Sequence, residues 1–322
     1  MGKRGAGLFA AALLAGLLLG AEARAFGTVN FLGQKSEHER ITRYGLRAHR
    51  LGPQTLDLLA GRKGSFGAIG APDRPGRGLL ARSEAHCDNG DHLDIAGYPH
   101  TAQAAQTQLT GCRTWMVDEL KAAVRSAGRL ITTAGAPDPA QGSIASPCKF
   151  DGKPGLAKCE TLEHIGLAFH AAQDFYSHSN WTDAAGGSTS SDPPGLAHQG
   201  RAPWLDPRSS MPFPAGLITG CYEGFPESLH CRYGDGLVRV RHAALTKDFG
   251  DIDPATGPRG PGRTERGKLH QNFEHAVEAA AQDTEDKWRF FEEGVRAAYG
   301  ERRGRLILCL VAQDTPVGCP PA

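Results

Sequence analysis

The sequence predicts a mainly α-helical protein with a single domain. Apolar residues recur with a 3.6-residue period in five stretches, no strand pattern persists, and no linker separates a second domain. A chain of 322 residues can bury a sizeable core without disulfides or metal ions. The predicted helices cover about 36–50, 101–132, 160–178, 234–247 and 266–299.

Glycine and proline predict long, irregular loops between these helices. The chain contains 42 Gly and 21 Pro, together well above the average share. The longest loops cover 62–100, 133–158 and 182–216, and loops of this length in a compact domain are often functional. The 36 Lys and Arg nearly balance the 35 Asp and Glu, so the basic surplus typical of nucleic-acid binders is missing, although a local basic cleft stays open.

Residues 1–25 are typical of a secretory signal peptide. Lys3 and Arg4 supply the positive start, an apolar run covers 8–19, and small residues in 23–25 form a cleavage site. The apolar run is short for a membrane span, and an uncleaved anchor is the alternative. We therefore expect a secreted or periplasmic mature domain over 26–322 that begins at Phe26.

The chain contains eight cysteines, and in an exported protein, where thiols are usually paired, this even number predicts disulfide bonds. Their order suggests bonds between neighbours, which would clamp the loops, although eight cysteines allow about 105 pairings. A cysteine zinc site is the competing interpretation, but no C-x2-C pair occurs. The expected pairs are Cys87 with Cys112, Cys148 with Cys159, Cys221 with Cys231, and Cys309 with Cys319.

The helix predicted over 160–178 carries the most informative motif. His170, Asp174 and His178 follow each other at four-residue steps, so they lie along one stripe of a helix. Two imidazoles and a carboxylate on one stripe are a typical set of metal ligands. A polar helix face with ordinary hydrogen bonds explains the motif equally well when it is taken alone.

Other stretches supply residues of the same types. His270 and Glu274 are again four apart in a predicted helix, where a surface His–Glu pair is the ordinary alternative. His38 lies at the start of the first predicted helix. The loop that follows contains Asp73 and, 13 residues later, His86.

In these residues, and in their order along the chain, the sequence resembles the zinc-dependent phospholipase C and single-strand nuclease superfamily. The stretch 173–181, the pair Phe26-Gly27 and the short stretch 245–248 are most similar to its heterokaryon-incompatibility protein C-like branch. The resemblance covers most of 26–291. It implies a helical domain of the zinc-dependent phospholipase C type, with up to three Zn²⁺ ions per chain.

The resemblance also implies which residues hold each ion. The ligand sets are, for the first ion, the α-amino and carbonyl groups of Phe26 with His38 and Asp174; for the second, Asp73, His86, His170 and the bridging Asp174; for the third, His178, His270 and Glu274.

The sequence departs from the family pattern at several of these positions. His178 follows Asp174 by four residues, where the phospholipases and nucleases have six, and Phe26 stands where the family usually has Trp. His92 competes with His86, and Asp88 or Asp91 with Asp73; the spacing favours the earlier pair.

The function that the resemblance implies is hydrolysis of a phosphodiester by hydroxide generated at zinc, most of all in the manner of a phospholipase C. Asp73 would act as general base and Asp174 as the bridging ligand. The expected partner is a phospholipid head group or single-stranded nucleic acid, with peripheral membrane contact and no stable protein partner. A single-strand nuclease or 3′-nucleotidase is one alternative, and a non-catalytic recognition or effector protein is another.

Polar neighbours on the motif helix could support the ligands or simply lie on its surface: Gln173, Tyr176, Ser177 and Asn180.

Overall fold

The computed structural model describes residues 26–30, 34–184, 186–224, 226–233 and 237–321. The predicted signal peptide, 1–25, lies outside the described residues. Within the described ranges the chain forms one mainly helical domain, which confirms the predicted class at that level. Its helices are α1 Glu37–Gly45, α2 Pro53–Ala60, α3 Ser83–His86, α4 Ala102–Ala127, α5 Ala157–His178, α6 Glu227–His230, α7 His242–Leu245, α8 Glu265–Lys268 and α9 Asn272–Ala312.

Helix α5 lies at the centre of the domain. Apolar residues such as Leu162, Leu167 and Phe175 lie on different sides of its axis, and almost all of the helix is buried. A helix that is apolar on all sides is stable only inside a core. Helices α4 and α9 pack against it. Its polar motif residues therefore lie in the interior of the protein.

The described strands form two small antiparallel hairpins. Strand β1, Arg232–Tyr233, pairs with β2, Leu237–Val238. Strand β3, Ile252–Asp253, pairs with β4, Gly257–Pro258. Each strand has only two residues, which is too short to produce a persistent alternating pattern in the sequence.

The helix predicted over 234–247 is wrong over most of its length. Residues 234–236 lie outside the described ranges; of the described residues in this stretch before 246, only α7 is helical, and 237–238 form β2. Val238 and Val240 are β-branched and therefore suit extended backbone. The backbone N–H of Cys221 donates to the carbonyl of Val240, which continues the extended pairing up to α7.

The helix predicted over 266–299 has different bounds. It is divided between α8 and α9, because His270 and Gln271 adopt left-handed φ values of 45° and 63° that a right-handed helix excludes. Helix α9 then continues beyond the predicted end to Ala312, with a break at Gly300, where φ is 75°. The helices predicted over 101–132 and 160–178 are present as α4 and α5, and α1 ends five residues before the predicted 36–50 stretch does.

The four predicted cysteine pairs are confirmed, and no cysteine is free. The bond Cys87–Cys112 joins the end of α3 to the middle of α4. The bond Cys221–Cys231 closes the loop that precedes β1. The disulfides thus fix loops onto the helical core. Among the helices of the described ranges, none is long and apolar enough to cross a membrane.

Candidate metal centre

Five of the predicted ligands come together beside α5. His170 and Asp174 lie one turn apart on that helix, His38 lies on α1, and His86 ends α3. Asp73 lies in the loop after α2. Within the described chain, His38, Asp73 and His170 form one group that could hold a metal ion, and His86, His170 and Asp174 form a second. We refer to these five residues together as the Asp174 group.

A glycine on α5 lets the Asp73 loop approach. An ideal Cβ on Gly166 would lie 2.4 Å from the carbonyl carbon of Ala68, so only glycine allows this backbone contact. The contact brings the carbonyl of Ile69 to within 2.8 Å of His170 Nδ1. The same loop then continues to Asp73.

The carboxylate of Asp174 is the centre of the group. Its Oδ1 lies 3.1 Å from Nε2 of His38, and its Oδ2 lies 2.9 Å from Nδ1 of His86. Oδ2 also lies 3.0 Å from Nε2 of His170, and that nitrogen is 3.6 Å from Oδ1 of Asp73. Three imidazoles and two carboxylates therefore converge within a few ångströms.

The outer nitrogen of each imidazole has an acceptor oxygen as its partner. His38 Nδ1 lies 2.8 Å from the side-chain oxygen of Gln173. His170 Nδ1 lies 2.8 Å from the carbonyl of Ile69, and His86 Nε2 lies 3.2 Å from the carbonyl of Leu79. An amide or carbonyl oxygen only accepts, so each outer nitrogen carries the proton. In the neutral ring, the inner nitrogen then presents a lone pair.

This arrangement fits a metal ion. Lone pairs of nitrogen and carboxylate oxygen that face each other at about 3 Å repel unless a metal ion or a proton lies between them. Among the described residues, neither His38 Nε2 nor Asp174 Oδ1 has a hydrogen-bond partner, although both are buried. Imidazole nitrogen and carboxylate oxygen are common ligands of zinc, and an outer hydrogen bond on each imidazole is the usual arrangement.

The pKa values of the group indicate that a positive charge at its centre is favourable. Burial raises the pKa of Asp174, but His170 and His38 outweigh it and hold that pKa well below its usual value. Burial lowers the pKa of His86, but its hydrogen bond to Asp174 and the nearby carboxylates raise it to about 9. For His170, burial dominates and the pKa is lowered. Without metal, a proton on His86 supplies part of the missing charge.

Asp73 forms the accessible side of the group. Its side chain is 21% exposed, whereas those of His38, His170 and Asp174 are fully buried. The hydroxyl of Thr28 donates a hydrogen bond to Oδ2 of Asp73. A substrate that reaches the group would therefore meet Asp73 first.

A third buried group that could hold a metal ion consists of Asp88, His178 and His242. His178 Nδ1 lies 3.9 Å from Asp88 Oδ1, and neither atom has a hydrogen-bond partner among the described residues. The rings of His178 and His242 lie with their centroids 3.6 Å apart. The third group adjoins the Asp174 group, because Asp174 and His178 are four residues apart on α5.

Two further carboxylates support this third group. His178 Nε2 donates to Oδ1 of Asp248 at 2.9 Å, which leaves its Nδ1 free to face Asp88. His242 Nδ1 lies 3.4 Å from Oε1 of Glu227. Burial lowers the pKa of His242, but Glu227 and Asp88 outweigh it and raise that pKa to about 9. Burial is also the main reason that the pKa of Asp88 rises to about 7.

The structure does not place His270 and Glu274 as the sequence predicts. His270 precedes α9, is exposed, and so does not share a helix face with Glu274. Glu274 lies in the first turn of α9 and is half-buried. In the described part of the chain, neither residue belongs to a group that could hold a metal ion, and His178 has Asp88 and His242 as its neighbours instead.

The competing loop residues have other partners. His92 Nδ1 bonds to the carbonyl of His100. Asp91 forms a buried ion pair with Arg239. Asp88 does belong to a group that could hold a metal ion, but to the third group and not to the position predicted for Asp73. The structure thus places His86 and Asp73 in the Asp174 group.

Sequence reasoning missed His242, which stands alone in the sequence without a ligand-type residue one helical turn away. Asp248 lies in the stretch 245–248 that resembles the heterokaryon-incompatibility branch, and that resemblance was the only available signal for this region. Phe26 is buried, with its ring edge-on to His38 at a centroid distance of 6.0 Å. Its role as an α-amino ligand requires cleavage before residue 26 and stays a prediction.

Comparisons with known proteins do not place the chain in a family. No family model matches the sequence, and neither a curated protein nor a solved structure matches it. The fold and the site therefore define a mainly helical domain, clamped by four disulfides, with three buried His/Asp groups that could hold metal ions.

Proposed function

We propose that this protein is an exported, zinc-dependent phosphodiester hydrolase of the phospholipase C-like kind. The observation that carries the proposal is the convergence of three imidazole lone pairs on the carboxylate of Asp174. The order of these ligands along the chain resembles that of the zinc-dependent phospholipase C and single-strand nuclease superfamily, closest to its heterokaryon-incompatibility branch. The four disulfides support export, together with the predicted signal peptide.

The donor atoms favour zinc over the hard cations. The Asp174 group offers three imidazole nitrogens, and the third group offers two more. Calcium and magnesium prefer oxygen ligands alone, whereas zinc accepts imidazole together with carboxylate. The Asp174 group would hold up to two ions and the third group one more, which is the number that the resemblance implies. When bound, such ions supply a hydroxide nucleophile near neutral pH and compensate charge on a phosphoryl group.

The residues of this chain would have separate tasks in the reaction. His38, His86 and His170 are buried and hydrogen-bonded at their outer nitrogens, and Asp174 is buried between them, so these four residues would fix the ions without moving. Asp73 is the accessible carboxylate, and Thr28 fixes its orientation. We assign to Asp73 the acceptance of a proton from the water that attacks phosphorus. The P–O bond to the alcohol would then break, and the proton held by Asp73 would pass to the leaving oxygen directly or through solvent, which releases the alcohol and a phosphate monoester.

The proposed substrate is a phospholipid head group, reached by peripheral contact with a membrane. The near-balance of 36 basic and 35 acidic residues argues against a phosphate-backbone track of the kind that nucleic-acid binders carry. Bound ions would supply positive potential for a single phosphate in any case. Hydrolysis of single-stranded nucleic acid is the alternative that an assay must test beside it.

The test begins with the metal content of protein that starts at Phe26. We expect at least two zinc ions per chain and hydrolysis of a phosphocholine ester, with activity lost on chelation and restored by Zn²⁺. Single-stranded DNA is assayed in parallel, and its faster hydrolysis would identify the nuclease instead. Full zinc loading without hydrolysis of either substrate would support a non-catalytic recognition or effector protein. Fewer than two zinc ions per chain would overturn the catalytic proposal.

A further inference from the structure

We infer that Gln173 is a positioning residue that fixes the tautomer and the ring orientation of His38 for metal binding. The inference rests on the proposed function, in that it takes the Asp174 group to be a metal site. Gln173 itself is not one of the residues that would bind the metal. Gln173 is fully buried and lies on α5 directly before Asp174.

The hydrogen bonds of Gln173 determine which way its amide points. Its nitrogen lies 3.0 Å from the hydroxyl oxygen of Thr42 and 3.0 Å from that of Thr284. The Thr284 hydroxyl already donates its only hydrogen to the carbonyl of Ala280, at 2.8 Å. Thr284 can therefore only accept from Gln173, and the atom that faces it must be the NH₂ group. The amide oxygen is then directed to His38.

The amide oxygen in turn determines the tautomer of His38. It lies 2.8 Å from Nδ1 of His38 and has no hydrogen to donate. Nδ1 must therefore carry a proton, and Nε2 of the neutral ring presents its lone pair toward Asp174, 3.1 Å away. His38, Gln173 and Asp174 are all fully buried, so water cannot replace this hydrogen bond.

Gln173 also connects the three helices around the site. Thr42 and His38 lie one turn apart on α1, Gln173 lies on α5, and Thr284 lies on α9. One side chain thus sets the position of α1 relative to the carboxylate that its histidine faces. A residue that lacks the acceptor would leave the His38 ring free to rotate or to change tautomer, which lowers metal affinity.

The experiment uses protein that begins at Phe26, freed of metal and titrated with Zn²⁺ against a chelator. Gln173→Met keeps the length of the side chain but removes the acceptor. Gln173→Glu keeps an acceptor oxygen for His38 and, protonated in this buried position beside Asp174, still donates to Thr284. We expect Gln173→Met to lose about 10- to 100-fold in zinc affinity, and Gln173→Glu to stay within about threefold of the wild type. The matched control is Thr161→Val, which removes a buried hydroxyl of α5 that donates to the carbonyl of Ala157 in its own helix.

A spectroscopic measurement separates positioning from general loosening of the fold. In zinc-loaded protein, NMR should show a hydrogen-bonded Nδ1 proton of His38 in the wild type, in Gln173→Glu and in Thr161→Val, and this signal should be lost in Gln173→Met. If Gln173→Met does not fold, Thr284→Val serves instead, because it removes the acceptor that orients the amide and should weaken both the signal and the affinity.

The outcomes distinguish this inference from the proposed function. Wild-type zinc affinity in Gln173→Met, or an equal loss in Thr161→Val, overturns the positioning role and leaves phosphodiester hydrolysis standing. Zinc binding that depends on Gln173 in a protein that hydrolyses neither substrate supports the positioning role and overturns the catalytic proposal. A wild-type protein that binds no zinc overturns both.

Discussion

Asp174 Oδ1 and His38 Nε2 face each other across 3.1 Å in the centre of the domain, and neither atom has a hydrogen-bond partner in the described ranges. This buried contact between two atoms without hydrogen bonds is the strongest indication that a cation binds between them. We expect Asp174→Asn to lower zinc affinity by more than about 100-fold, beyond the loss typical of groups that only support a ligand. Hydrolytic activity should fall with it. The measurement is zinc content after dialysis against a weak chelator.

The control for that variant is Asp118→Asn, which removes the same charge from an exposed position on α4. It should keep its zinc and its activity. If Asp174→Asn also keeps full zinc content, the carboxylate is not a ligand and the site must be assigned to other residues.

Zinc binding should release protons and strengthen as the pH rises toward about 9. His86 has a pKa of about 9 in the metal-free protein, raised by its hydrogen bond to Asp174 against the effect of burial. Below that pH, His86 holds a proton that an ion must displace, so affinity is reduced there and recovers as the pH approaches the pKa. Calorimetry at pH 7 in buffers of different ionisation enthalpy should detect release of about one proton or more. Release that is unchanged at pH 10 would contradict the role of His86.

The third group predicts that His242 is a zinc ligand, whereas the sequence predicted His270 as the ligand. His242→Ala removes one member of the group formed with Asp88 and His178, and zinc content should fall by one ion. His270→Ala changes an exposed residue outside α9 and should leave zinc content unchanged. Elemental analysis of both variants decides between them. The reverse result would restore His270 as the ligand.

How far the site could be predicted depends on whether its members share a local repeat. His170, Asp174 and His178 were found because a four-residue spacing has one geometric meaning on a helix. His242 has no such neighbour in the sequence, and only the packing of α7 against α5 brings it to His178. Nothing short of tertiary structure could have supplied that contact.

Two errors in the fold have similarly physical causes. Helical periodicity over 266–299 continues through His270, but the left-handed φ of that residue separates it from α9, and neither His270 nor Gln271 is a glycine that would signal this conformation. Over 234–247, apolar spacing alone could not distinguish a helix from short extended segments. The cysteine pairs were predictable because neighbouring cysteines in a loop-rich chain have little distance to span.

The disulfide Cys87–Cys112 should matter for metal binding. Cys87 lies directly between His86 of the Asp174 group and Asp88 of the third group, and the bond attaches this stretch to α4. We expect Cys87→Ser with Cys112→Ser to reduce zinc affinity as well as stability, by about 2–5 kcal/mol for the latter. The matched control is Cys309→Ser with Cys319→Ser, which opens a bond at the end of α9. It should lose stability alone, and equal zinc affinity in both double variants would contradict the prediction.

The N-terminal segment provides the last prediction. The backbone N–H of His38 donates to the carbonyl of Gly27 at 3.3 Å, and an ideal Cβ on Gly27 would lie only 2.3 Å from Oε2 of Glu37, so the chain at 26–27 is held tightly against the start of α1. A new amine created by cleavage before Phe26 would therefore lie close to His38, in reach of the ion that His38 and Asp174 are proposed to bind.

Protein that begins at Phe26 should bind zinc more tightly than protein with two additional residues or an acetylated Phe26. Both should fold, because the buried contacts of Phe26 and Gly27 do not involve the amine. An extended protein that is fully zinc-loaded and active would show that the α-amino group is not a ligand, and that His38, Asp73, His170 and Asp174 hold their ions without it.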